Sequence, residues 1–110
     1  MSFAASQRFK LDQKQLIELA GEALKSLGLP YERPLPNRFV ARTAFGFWSL
    51  GEQVVIEVDP NGTVTVRSDS VWSTQILDWG RNRRNVNEVL YYLATAVRAY
   101  ESPAVGRNAT

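Results

Sequence analysis

Three tryptophans, Trp48, Trp72 and Trp79, and three arginines, Arg81, Arg83 and Arg84, are the residues of this chain best equipped for chemistry. Indoles offer flat faces for stacking and one N–H donor, and guanidiniums offer planar forks that match carboxylates and phosphates. Such a set recognises a partner. Proton transfer and nucleophilic attack need a poised base as well, and the chain has no histidine and no cysteine. That removes the usual zinc ligand sets, every Ser-His or Cys-His pair, disulfides and a histidine pH switch. Asp69 and Asp78 are the carboxylates near the tryptophans, and Ser68, Ser70 and Ser73 sit in no nucleophile elbow. No phosphate-cradling glycine loop or dinucleotide fingerprint occurs. The expectation is a non-enzyme without metal or cofactor.

The formal net charge is only +2, but it is unevenly spread. Residues 81–110 carry five basic and two acidic side chains, whereas residues 38–80 carry three basic and five acidic ones. The positive excess begins at the arginine trio, which keeps an anionic partner in view, while the low total argues against a dedicated nucleic-acid coat. With 45% apolar and 22% charged residues in 110, the composition is that of a single globular domain with one core. No window approaches the roughly 18 apolar residues of a membrane span, and the first ten residues lack a secretory core, so the expected location is cytoplasmic.

The elements that must position these residues are legible in part. Asp12, with Gln15 three residues on, reads as a capping box. Leu16, Leu19, Ala20, Ala23, Leu24 and Leu27 then form one helical stripe, closed by Gly28 and Pro30. Residues 1–10 show no period and read as a loose end, and Pro30, Pro34 and Pro36 make residues 28–37 an extended connector. Three alternating runs follow, at about 38–45, 53–58 and 63–72, the last two joined by the tight turn Asp59-Pro60-Asn61-Gly62. A last helix is expected to start near Asn85, with Asn82 a competing cap, burying Val86, Val89, Leu90, Leu93, Val97 and Tyr100. The tail from residue 102 reads as frayed. The expected fold is α+β, in the order α-β-β-β-α: a three-stranded antiparallel meander with both helices on one face, ordered over about residues 11–101.

An up-down-up meander places the loop before the second strand at the same pole as the segment between the third strand and the last helix. That pole gathers Trp48, Trp72, Gln75, Trp79, Arg81, Arg83 and Arg84 beside the free N–H groups of a helix start. The expected function is therefore binding of an anionic group or acidic protein segment at this rim. Positive charge at a helix N-terminus opposes the macrodipole, and Asp78 or Glu88 is the internal counter-charge expected there. Outward on the strands, Arg42, Glu57 and Arg67 are in phase for a cross-strand charge ladder, and that open face is a candidate surface for homodimerisation.

The run Val64 to Ser70, followed by Asp78-Trp79-Gly80-Arg81-Asn82-Arg83-Arg84-Asn85-Val86, resembles a family of small bacterial and cyanobacterial domains of unknown function. In these a strand ending in Arg-Ser leads to an Asp-x-Gly-x-Asn step and a helix. Phe47-Trp48-Ser49-Leu50-Gly51-Glu52 resembles a hairpin that accompanies the motif. The resemblance implies a shared fold and no activity, with Arg67, Ser68, Asp78, Gly80 and Asn82 holding the rim in shape. The expected element order is also that of double-stranded-RNA-binding domains, which carry basic residues at the start of their last helix. This chain lacks their lysine pair and their glycine- and histidine-bearing loops. RNA binding is thus one alternative to an acidic partner, and a peripheral membrane surface is another.

Overall fold

The computed structural model describes residues 2–43, 51–70 and 80–101. Its elements run β1 (Ser2–Arg8), α1 (Gln13–Ser26), β2 (Tyr31–Leu35), β3 (Arg38–Arg42), β4 (Glu52–Val58), β5 (Thr63–Ser70) and α2 (Arg81–Glu101). The five strands form one antiparallel sheet in the order β1-β5-β4-β3-β2, and both helices pack on one face of it. The class is α+β, and the expected meander β3-β4-β5 is its centre.

The centre forms because its apolar residues alternate. Phe39 and Ala41, then Val54, Ile56 and Val58, then Val64 and Val66 all point at the helices and are buried. They meet Leu16, Leu19, Ala20, Ala23 and Leu24 of α1 and Val86, Val89, Leu93 and Val97 of α2. The Asp12 carboxylate accepts from the Gln15 N–H at 2.8 Å, and the Asp12 N–H donates to the Gln15 side chain, completing the capping box. At the other end Gly28 adopts φ +71, and the Leu29 N–H donates to the Leu24 carbonyl, so the chain reverses toward the sheet.

Two strands lie outside the expected three. Residues 2–8 are not a loose end: they pair with β5 in continuous register from Ser2↔Asp69 to Arg8↔Thr63. Serine and alanine dominate this segment, so its period of two is nearly silent, and only Phe3 and Ala5 turn toward the core. What makes it a strand is the free edge of β5. The proline-flanked connector also pairs, as edge strand β2 on β3, with a register shift between Glu32 and Leu35. Tyr31 fixes it by meeting Phe39 edge to face at 5.3 Å. Proline is tolerated there because an edge strand needs hydrogen bonds on one side only.

The last helix starts at Arg81, ahead of both expected caps. Gly80 precedes it at φ +74, and its carbonyl accepts the first helical bond from the Arg84 N–H. Asn82 and Asn85 therefore lie inside the helix. Tyr100 is 37% exposed and not part of the buried stripe; its hydroxyl accepts from the Gln15 side chain, linking the two helices.

Candidate functional site at the start of the last helix

The register brings the ends of β3 and β5, the start of β4 and the start of α2 to one pole of the sheet. Residues on the inward phase meet there, and the inward positions that are apolar at mid-strand become polar. Glu52 continues the series of Val54, Ile56 and Val58, and Ser68 and Ser70 continue that of Val64 and Val66.

These groups form one network. Glu52 is 3% exposed, and its carboxylate accepts from the Thr43 hydroxyl at 3.0 Å and from the Asn85 amide at 3.2 Å. The Glu52 N–H donates in turn to the Thr43 hydroxyl. Asn85 also donates to Ser68 Oγ, which donates to Asn82 Oδ1 at 2.8 Å, and the Asn82 amide reaches Ser70. Ser68 and Asn82 are fully buried. Burying these groups costs little only because they satisfy one another, so the network fixes α2 on the strand ends. The Ser68 proton goes to a neutral amide, which is no general base. Through Asn85, Glu52 brings a carboxylate near the start of α2, a counter-charge not expected from the sequence, while Asp78 lies outside the described residues.

The residues singled out from the sequence fall into four groups. Trp48, Trp72, Gln75, Trp79 and Asp78 lie outside the described residues. Gly80, Asn82 and Ser68 are at the pole, as above. The arginine trio is at the pole too, but α2 divides it. Arg83 turns toward β1, its guanidinium 5.0 Å above the Phe3 ring. Arg84 is exposed and Arg81 is half-buried; among the described residues, Arg81 Nη1 and Arg38 Nε on the sheet are buried without a hydrogen-bond partner.

Arg67 is on the outward face of the sheet, paired along its own strand with Asp69 at 2.8 Å. The hydrogen bond to Asp69, and then its charge, raise the Arg67 pKa above its usual value, so this residue stays cationic throughout the working range. The expected ladder of Arg42, Glu57 and Arg67 does not form as such. Register sets Arg67 opposite Val55, Arg42 opposite Gln53, and Glu57 between Arg38 and Thr65. The open face is a shallow hollow of about 370 Å3 in which Arg38, Glu57, Arg67 and Asp69 surround Val55. Among the described residues, no helix is long and apolar enough to cross a membrane, and no group of histidine, cysteine and carboxylate side chains is placed to hold a metal ion.

Sequence reading missed Glu52, Thr43 and Asn85 as members of the network. The signal for Glu52 was its parity with Val54, Ile56 and Val58, hidden when the strand is begun at Gln53. No protein-family model matches the chain, and no curated protein shows significant similarity to it.

Proposed function

We propose that this chain is a small binding module that takes an anionic group or acidic protein segment at the pole where α2 starts. The observation that supports it is Arg81. Among the described residues its Nη1 has no acceptor, at a cost on the order of 1–3 kcal/mol, and an anionic partner that meets the exposed part of this half-buried guanidinium would offset that cost. Exposed Arg84 adds charge beside it, and in this reading Trp48, Trp72, Gln75 and Trp79 complete the surface by stacking. Membership of the small domain family with the Arg-Ser and Asp-x-Gly-x-Asn steps belongs to the same reading and brings no activity with it.

RNA binding draws less support than it did from the sequence, because the strands added at both sheet edges depart from the α-β-β-β-α order on which that analogy rested. The charged rim of the open face likewise lends little to dimerisation through that face.

The test is an NMR titration that follows the arginine side-chain signals with four probes: an oligoglutamate peptide, inorganic phosphate, a short RNA, and vesicles of anionic lipid. The expected result is saturable movement at Arg81 and Arg84 with the peptide, weakened about tenfold by Arg81→Gln, as the loss of one charge-assisted pair implies. Movement with RNA alone, falling steeply with salt, would replace the acidic partner by nucleic acid, and movement with vesicles alone by a membrane surface. If no probe moves these signals, the proposal is wrong.

A further inference from the structure

The two edges of the sheet are not alike. On β2 the edge is guarded: Pro34 has no N–H to offer, Glu32 and Arg33 add charge, and the register breaks between Glu32 and Leu35. These are the means by which edge strands avoid pairing with another chain. On β1 they are missing. Ser2–Arg8 is seven residues in unbroken register, without proline or bulge, and its single charge is Arg8 at the end.

Which groups face outward follows from the ladder. The Phe9 N–H donates to the Gly62 carbonyl, continuing the β1–β5 register by one pair. Paired residues in an antiparallel ladder alternate, so Phe3, Ala5 and Gln7 direct N–H and C=O at β5, and Ser2, Ala4, Ser6 and Arg8 direct theirs away from the sheet. Among the described residues nothing hydrogen-bonds to that outer row. The side chains that do bond, Ser6 to Thr65 and Arg8 to the Asn61 carbonyl, reach back over β5 and leave the edge open.

We infer that β1 pairs antiparallel with β1 of a second copy of this chain, about a twofold axis through Ala5. This register sets Ser2 opposite Arg8 and Ala4 opposite Ser6, which uses the outward row completely. No like charges meet, because the two Arg8 side chains fall at opposite ends. On the helix side Phe3 lies opposite Gln7 and Ala5 opposite Ala5. Phe3 and Ala5 are the core's partly exposed margin, so the second strand finishes burying them. The row is self-complementary about this axis, with each outward N–H and C=O of one strand meeting its counterpart in the other, which is why the partner is a second copy.

Sedimentation velocity over a range of concentrations tests this, with two variants. Wild type is expected to move from the 12.4 kDa monomer toward twice that mass as concentration rises. Ala4→Pro deletes an outward N–H and spares the ladder to β5, so it is expected to weaken dimerisation at least tenfold with the far-ultraviolet spectrum unchanged. The chain has no cysteine, so Ala5→Cys places one thiol on the axis, where directly opposed α-carbons are about 4.5 Å apart, within disulfide reach. It should cross-link on mild oxidation much faster than Gln7→Cys, whose two thiols lie apart. A wild type that stays monomeric overturns the inference, as does a dimer in which Ala5→Cys links no faster than Gln7→Cys.

Discussion

Among single residues, glycine at positive φ separates conformational from steric demands. Gly28 and Gly62 have similar angles, +71 and +88, but a Cβ on Gly28 would meet nothing within 4 Å, whereas on Gly62 it would lie 2.6 Å from the Phe9 carbonyl oxygen. Gly28→Ala therefore carries the conformational cost alone, about 1 kcal/mol. Gly62→Ala must also displace the backbone that leads from β1 into α1, and is expected to cost about 3 kcal/mol or more. Urea denaturation of the two variants measures the gap, and equal losses would mean that residues 9–12 do not bear on the β4–β5 turn. The tight turn at Asp59-Pro60-Asn61-Gly62 was legible from residue types. The neighbour that makes Gly62 indispensable was not, because Phe9 is remote in the chain.

At the scale of elements, legibility followed the strength of local signals. The capping box and stripe of α1, the β4–β5 hairpin and the inward phases of β3, β4 and β5 are where alternation and caps put them. β1 and β2 were read as loose and connecting because Ser2–Arg8 has almost no apolar contrast and Tyr31–Leu35 contains a proline. Their pairing is supplied by neighbours. The alternation of β1 therefore makes a prediction about stability as well as assembly. Ala5→Pro removes an N–H that bonds to β5 and should cost about 2 kcal/mol or more, while Ala4→Pro, measured at a dilution where the chain is monomeric, should cost under about 1. Denaturant unfolding compares them directly, and a reversed order would shift the β1 register by one residue.

At the scale of the whole molecule, the buried core of the described residues is the layer where both helices meet the sheet. Leu93 is fully buried at that layer, whereas Tyr91, two residues away, is 66% exposed. Leu93→Ala is expected to cost about 2–5 kcal/mol, lowering the melting temperature by many degrees, while Tyr91→Ala should stay within about 0.5 kcal/mol. Calorimetry of the two variants checks the placement of α2. The polar network at the pole is the complement of this layer. Among the described residues, Glu52, Ser68, Asn82 and Asn85 end the apolar seam at one pole, and each hydrogen bond among them needs a partner from another element.

By itself the sequence determined the absence of thiol and imidazole chemistry, the first helix with both its caps, the central hairpin and the apolar phases, since these depend on residue type and on periods of two and 3.6. Only the tertiary structure decided that residues 2–8 close the sheet beside β5, that α2 starts at Arg81 and splits the arginine trio between its flanks, and that Glu52 enters a buried network. The physical reason is that an edge strand and a buried polar group have no local pattern. Each is stable only where a distant segment offers the missing hydrogen-bond partner, and that offer is made by the fold.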